Sequence, residues 1–124
     1  MIFENCLPDL TELDKSKITE LIQFPKHCQA ITGYFEDCEN LSSISEAVVL
    51  AGYSYPSMFS GCTSLTTIPD SFVFSPYITD ANGMFAGCSN LTTVNMKKLF
   101  KNINIIDISN IFNGCNSLTG VVPI

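Results

Sequence analysis

The sequence predicts an α/β repeat solenoid of about five units. A phenylalanine followed three residues later by a cysteine recurs five times along the 124 residues. Apolar residues hold the same positions around each of these copies, so the copies share one interior pattern. A unit this short cannot bury its apolar face alone, and stacked units are therefore needed to form the core.

The five copies are aligned on their phenylalanines, which are separated by 32, 24, 26 and 27 residues. Three of these intervals match a structural unit of about 20–29 residues. Together the copies predict a single domain over 1–124, open to being a piece of a longer array. The copies cover residues 2–13, 34–44, 58–68, 84–94 and 111–121.

The long first interval contains an insertion, residues 14–27. Within it, Ile18, Leu21 and Ile22 are spaced as on one side of a helix. Pro25 limits any helix that continues further. The insertion is therefore expected to carry a short helical stripe.

Each copy has interior positions at fixed distances from its phenylalanine. Leucine stands six residues after it and Ile or Val nine residues after it, while the first copy slips by one, at Leu10 and Leu13. The sequence predicts continuous interior columns of Phe, Cys and Leu. The cysteines of the five copies are Cys6, Cys38, Cys62, Cys88 and Cys115.

The residue two positions after each phenylalanine belongs to a type that tolerates a left-handed backbone. We therefore expect a short helical or 3₁₀ turn ending near Phe, a left-handed cap and a short strand. Ser54, Asp80 and Asp107 stand five before a phenylalanine, where a helix N-cap would lie. The predicted left-handed residues are Asn5, Asp37, Gly61, Gly87 and Gly114.

The strands of stacked copies are expected to pair in parallel at about 4.8 Å. Turns are wider than strands, so the stack is expected to curve, with a short parallel sheet on the concave side and turns on the convex side.

Two copies carry the motif in its most regular form, "MFSGCTSLTTIPD" at 58–70 and "MFAGCSNLTTV" at 84–94. They resemble the BspA-type leucine-rich repeat family, whose units are similar to aromatic-Phe-x-x-Cys-x-x-Leu-x-x-Ile followed by a Pro-containing turn. The resemblance extends over almost the whole chain. It implies a right-handed leucine-rich-repeat superhelix with no catalytic residues.

The same resemblance implies where such a protein works. Family members are surface-exposed proteins of bacteria and some protozoa with roles in adhesion and host-protein binding, and similar units occur in phage virion and tail proteins. A cell-surface, extracellular or virion location is therefore expected. No signal peptide is predicted, because Met1 is followed directly by "IFENC".

The charge distribution limits the classes of partner. The net charge is −6, which disfavours nucleic acid as a partner. No apolar run reaches about 18 residues, so no membrane insertion is expected. Nine of the twelve acidic residues lie in 1–46, and this acidic third either faces a basic partner or forms a solvated surface.

The six cysteines have three interpretations, namely a disulfide framework, a metal site or buried free thiols. Five occupy one repeat position, and Cys28 stands where other copies have isoleucine, so the pattern favours buried thiols acting as small apolar side chains. Equivalent cysteines of parallel neighbours would also hold their Cβ atoms too far apart for a relaxed disulfide.

No catalytic, cofactor or metal residues are predicted. His27 beside Cys28 suggests a base and a nucleophile, but adjacent residues of an extended segment point apart. Glu36, Asp37 and Glu39 lack the alternating oxygen ligands of a calcium loop and indicate a solvated turn.

The candidate functional surface is the concave face of the predicted sheet. Residues eight and ten positions after Phe should point there if Leu and Ile/Val point inward. Most are small and neutral, which suits contact with a protein or glycan, although the strand propensity of Thr accounts for them equally well. The candidate residues are Ser43, Ser45, Thr67, Thr93 and Asn95.

Two functions follow from these expectations. The first is a non-enzymatic adhesion-type module that binds through its concave face. The alternative is a structural component of a larger assembly, such as a virion, tail or appendage. The alternative is suggested by apolar residues at both ends of the chain, where terminal caps are expected to be polar and where docking partners are therefore predicted.

Overall fold

A computed structural model describes residues 10–24, 30–101 and 110–119. The regular elements within these ranges are helix α1 (Glu12–Lys17), strand β1 (Glu20–Leu21), strand β2 (Ser43–Ile44) and helix α2 (Met96–Leu99). Strands β1 and β2 pair in parallel, with Glu20 opposite Ser43 and Leu21 opposite Ile44. Turns and isolated parallel bridges make up most of the remaining described chain.

Helix α1 begins at a capping box. Thr11 Oγ1 accepts a hydrogen bond from the Asp14 N–H at 3.1 Å, and Asp14 Oδ2 accepts one from the Thr11 N–H at 3.0 Å. These bonds satisfy two amide groups that a helix start leaves unpaired. The Thr11 backbone N–H also lowers the pKa of the Asp14 carboxyl, because it stabilises the charged form.

The helical stripe predicted for the insertion is wrong. Helix α1 ends at Lys17, and Ile18 and Leu21 are buried in an extended segment. The register of β1 against β2 places Leu21 beside Ile44 and, three residues earlier, Ile18 at the level of Leu41. The three-residue spacing therefore places Ile18 and Leu21 against the extended segment of the second copy, and the insertion contributes one more layer to the stack.

Backbone hydrogen bonds join the turns of the second, third and fourth copies to the turn of the copy that follows each. The Phe35 N–H donates to Met58 O at 3.0 Å, and the Phe59 N–H donates to Met84 O at 2.9 Å. Every second N–H in these turns donates to the next copy, so it cannot form an i→i−4 helical bond. Of the two predicted forms, helical or 3₁₀, the described copies have turns closed by i→i−3 bonds of the 3₁₀ kind, such as Ser60 N–H to Ser57 O at 3.1 Å, without a continuous helix.

Left-handed backbone occurs at two positions in each described copy. The position two after Phe was predicted, and its φ angles are 60° at Asp37, 76° at Gly61, 74° at Gly87 and 80° at Gly114. The position two before Phe was not predicted. Its φ angles are 59° at Gly33, 55° at Ser57, 64° at Gly83 and 61° at Asn110.

The predicted N-caps have different outcomes. Asp80 Oδ1 accepts a hydrogen bond from the Asn82 N–H at 2.9 Å, which closes the turn as a cap would. Ser54 forms parallel bridges with Ala30 and with Asp80. Asp107 lies outside the described residues.

The core is built around a column of phenylalanine rings. Phe59 stacks between Phe35 and Phe85, with ring centroids 5.6 and 5.5 Å apart and interplanar angles of 8° and 6°. Phe112 continues the column at 5.9 Å from Phe85. Burial of Phe, Cys and Leu is confirmed for the second to fourth copies, where all of these side chains are fully buried.

Candidate functional site

Four of the five candidate surface residues are exposed. They are Ser43, Thr67, Thr93 and Asn95, and Ser45 is half-buried. Ser43 lies on β2, and Thr67 pairs with Thr93 in a parallel bridge. We call Ser43, Ser45, Thr67, Thr93 and Asn95 the hydroxyl face. Its positions follow the repeat, because each lies eight or ten residues after a phenylalanine.

The hydroxyls of Ser43, Thr67 and Thr93 form no hydrogen bond within the described part of the chain. The Thr66 hydroxyl, one position before Thr67, likewise forms no hydrogen bond within the described part of the chain. Three other hydroxyls at this position of the repeat behave differently, because each donates to a carbonyl of the preceding layer. Those bonds run from Ser42 to Thr19 O, from Thr92 to Thr66 O and from Thr119 to Thr92 O, each at 3.2 Å. In the second and fourth copies, neighbouring hydroxyls thus divide into one that bonds the adjacent layer and one that faces solvent.

Ser45 and Asn95 have local structural roles that the sequence did not indicate. Ser45 Oγ accepts a hydrogen bond from the Ala47 N–H at 3.1 Å. Asn95 Oδ1 accepts one from the Lys98 N–H at 3.1 Å, which places Asn95 as the cap of α2. These two side chains therefore have less hydrogen-bonding capacity left for a ligand than the three free hydroxyls.

The insertion adds an acidic residue to this surface that sequence reasoning missed. Glu20 stands opposite Ser43, so the row continues into β1. Glu20, Ser43, Ser45 and Glu46 line a shallow concavity of about 520 Å³. Two carboxylates at this end disfavour anionic ligands, since like charges repel across short distances. The missed signal is the Ile18-x-x-Leu21 spacing, which matches the Leu-x-x-Ile of the copies.

The four described cysteines, Cys38, Cys62, Cys88 and Cys115, are free and buried, which confirms for them the burial expected from the sequence. Their thiols have an additional role. A thiol donates to the phenylalanine carbonyl of the preceding copy, so cysteine supplies a weak donor as well as volume. The bonds are Cys62 Sγ to Phe35 O at 3.2 Å, Cys88 Sγ to Phe59 O at 3.2 Å and Cys115 Sγ to Phe85 O at 3.1 Å.

Burial also suppresses the reactivity of these thiols. Desolvation raises the pKa of Cys38 to about 11 and that of Cys88 to about 12. The same cause raises the pKa of Cys62 and Cys115. The thiolate is the nucleophile and the metal ligand, so these cysteines are poorly suited to either chemistry near neutral pH.

We expect the stability of the protein to fall as the pH rises above 9.0, the ordinary thiol pKa. Between 9.0 and about 12 the unfolded chain releases the Cys88 proton while the folded chain keeps it, so rising pH favours unfolding. The contribution of the protonated Cys88 thiol to stability is thus fully present below pH 9.0 and is lost as the pH rises towards about 12. Each such thiol contributes a slope of at most about 1.4 kcal/mol per pH unit.

Urea unfolding at a series of pH values under reducing conditions measures this slope. Cys88→Ala removes one titrating group and should give a shallower loss of stability. An identical slope in the variant and the parent would contradict the assignment.

Among the described residues, the other candidates from the sequence do not assemble into a reactive site. His27 and Cys28 lie outside the described residues. Glu36, Asp37 and Glu39 are exposed. Across the described ranges, no group of three or more His, Cys, Asp or Glu side chains is placed to hold a metal ion. Within the same ranges, no helix is long and apolar enough to cross a membrane.

The hydroxyl face has the geometry of a hydrogen-bonding surface. Comparisons of the chain with family models, curated proteins and solved structures found no match. The face offers three free hydroxyls that donate and accept hydrogen bonds, flanked by two carboxylates. Such an arrangement suits recognition by hydrogen bonding.

Proposed function

We propose that the chain is a leucine-rich-repeat solenoid of the BspA type that acts as a non-enzymatic binding module. Its hydroxyl face would contact a protein or glycan ligand. The observation that carries this proposal is the row of exposed, unbonded hydroxyls at Ser43, Thr67 and Thr93. Ser43 and Thr93 stand directly beside Ser42 and Thr92, whose hydroxyls are used within the fold.

The fold class in this proposal is supported by the way the copies associate. Equivalent residues of successive copies stack their rings, donate backbone N–H groups in one direction and donate thiols in the other. Such nearest-neighbour contacts between similar units are what a solenoid requires. A location at a cell surface, outside the cell or on a virion is part of the same proposal and derives from the family resemblance.

A recognition role is also supported by the chemistry of the described residues. The four described cysteines, whose side chains are strong nucleophiles when ionised, have raised pKa values and are buried. An extended surface of small polar side chains provides many weak hydrogen bonds without any group that reacts.

The test is binding of the chain to an array of glycans and extracellular-matrix proteins. We expect the double variant Thr67→Lys and Thr93→Lys to lose at least about tenfold in affinity for any ligand bound, a loss of roughly 1.4 kcal/mol. Two bulky charges would then stand on the free hydroxyl row. A matched control is Asn116→Lys with Ser117→Lys, which adds the same charge at two exposed positions of the last copy.

Equal losses in both double variants would show a general charge effect and contradict the surface assignment. Unchanged binding in the Thr67/Thr93 variant would also overturn it. Failure of the parent chain to bind anything on the array would count against the binding-module proposal as a whole.

A structural role in a larger assembly is the second candidate, and the outer side of the last copy favours it. Phe112 and Leu118 are half-buried there, whereas their equivalents in the preceding three copies are fully buried. Within the described residues, the N–H groups of Asn110, Phe112 and Gly114 have no acceptor. At these positions the other copies donate to their neighbours. This side is therefore able to accept a further layer.

Sedimentation of the purified chain distinguishes the two candidates. Association that grows with concentration and is lost in Phe112→Asp would support docking at the last copy. A stable monomer over a wide range of concentration would count against it, while leaving the hydroxyl face open to the array test.

A further inference from the structure

Two exposed tyrosines lie on one concavity. Tyr53 has 48% of its surface exposed and Tyr77 has 73%. With Ala51 and Gly52 they line a shallow depression of about 260 Å³. Single exposed apolar residues are ordinary on a protein surface, but two large rings around one depression form a patch. The fully buried Tyr55, two residues from Tyr53, shows how completely the core accommodates a tyrosine when the ring points inward.

The backbone on both sides of this depression is held in place. The Gly52 N–H donates to the buried Tyr55 hydroxyl at 2.7 Å, which fixes the floor. Tyr53 O accepts from the Thr79 N–H at 2.7 Å and from Thr79 Oγ1 at 3.0 Å. The Tyr77 N–H donates to Ser75 Oγ at 3.1 Å. The rings therefore project from an ordered base, which lowers the conformational cost of binding.

The surroundings of the pair define the charge of a ligand. No charged side chain is among the described residues that line the depression. Residues 47–96 contain no Lys, Arg or His and only two acids, Asp70 and Asp80. An anionic ligand would meet no cation among the described residues that line the depression, and a buried charge on a ligand would lose its hydration without gaining a partner. The charge pattern favours a neutral ligand.

The tyrosine side chains define the other properties that a ligand needs. Each ring presents an apolar face together with a phenol hydroxyl that donates and accepts hydrogen bonds. A ligand that matches both needs an apolar face and hydroxyls on one compact unit. The four described residues that line the depression provide contact for one ring-sized group. A pyranose ring, with its C–H face and rim of hydroxyls, meets these conditions.

We infer that Tyr53 and Tyr77 form a binding site for a neutral pyranose ring. The site is separate from the hydroxyl face in the repeat, because Tyr53 stands six residues before a phenylalanine and Tyr77 eight before the next. It therefore stands whether or not the hydroxyl face binds a ligand. A shallow, solvent-exposed site of this kind is expected to bind a single sugar with a dissociation constant of about 1 mM.

The test follows NMR chemical shifts of the whole chain during titration with the methyl glycosides of glucose, galactose and mannose. At least one should shift the signals of Ala51, Gly52 and Tyr77, and Tyr77→Ala should weaken that binding at least about tenfold. Tyr77 is mostly exposed, so its removal leaves the core intact, and Tyr53→Ala is a second variant. Leu13→Ala, which removes a side chain that is 63% exposed elsewhere, is the matched control and should bind normally.

Three further probes test the ligand class, namely acetyl-tetraproline amide, tetramethylammonium and glucose 6-phosphate. Saturable shifts with the peptide or the cation, and none with the glycosides, would overturn the assignment. Preference for the phosphate over the neutral sugars would do the same, as would glycoside binding that Tyr77→Ala leaves unchanged. Normal glycoside binding by the Thr67→Lys and Thr93→Lys variant would separate this site from the hydroxyl face.

Discussion

Replacing Phe59 by alanine is expected to lower the free energy of unfolding by about 3–5 kcal/mol. Phe59 is fully buried, stacks on a ring in each adjacent copy and meets the edge of Phe72 at a centroid distance of 6.1 Å. Its removal leaves a cavity in the centre of the column, and we expect that the two flanking copies cannot move together to fill this cavity. A domain of this size is typically stable by about 5–15 kcal/mol, so the loss is a large share of the total.

Phe112→Ala is the matched control for that substitution. Phe112 holds the same position in the motif but is half-buried, and its stacking partner among the described residues is Phe85 alone. We expect it to lose roughly half as much, because less apolar area leaves water at this position. Urea unfolding followed by circular dichroism measures both. Equal losses of unfolding free energy in the two variants would contradict the expectation that a ring stacked between two neighbours contributes more than a ring with one.

Replacing Gly87 by valine is expected to cost about 2–4 kcal/mol. Gly87 has a φ angle of 74°, a conformation that a β-branched residue rarely adopts. A Cβ there would lie 3.6 Å from Gly61 N and 3.7 Å from Gly61 Cα, so the added methyl groups would crowd the backbone of the preceding copy. The residue cannot easily leave this conformation, because its N–H donates to Asn113 O at 2.7 Å.

Gly87→Asn separates backbone strain from the loss of a small residue. Asparagine tolerates the left-handed region, and Asp37 holds the equivalent position in the second copy with a φ angle of 60°. We expect this variant to lose about 1 kcal/mol or less relative to the parent. A Gly87→Asn protein as unstable as Gly87→Val would show that crowding, and not the backbone angle, sets the cost.

The interior of the stack was predictable because the same residue types recur at the same distances. Phe, Cys and Leu were identified as core residues from spacing, and they are fully buried in the second to fourth copies. Phe112 and Leu118 of the last copy are half-buried. The interior position predicted for Leu13 in the first copy is wrong, because Leu13 lies on helix α1 and is 63% exposed. The left-handed position after Phe was predictable for a similar reason, since only Asn, Asp and Gly occur there. The second left-handed position escaped prediction because Ser57 breaks the pattern of Gly and Asn that fills it elsewhere.

The insertion was misinterpreted because its apolar spacing is compatible with two structures. Three-residue spacing at Ile18 and Leu21 suits one side of a helix and also suits the Leu-x-x-Ile segment of a copy. Pairing of β1 with β2 decides between them, and that pairing joins residues 23 positions apart. The acidic end of the hydroxyl face depends on the same pairing, so Glu20 was not identified as part of it.

Sequence repetition is enough to identify the Phe, Cys and Leu interior of the second to fourth copies and the left-handed position two residues after phenylalanine. Both are properties of residue type at a fixed distance from phenylalanine, and repetition makes them visible. Tertiary structure alone decided that Cys62 meets the Phe35 carbonyl and that Thr92 is bonded while Thr93 faces solvent. It also brought Tyr53 and Tyr77 to one depression. The physical reason is that each outcome depends on which atoms of a neighbouring copy, more than 20 residues away in the chain, come within contact distance.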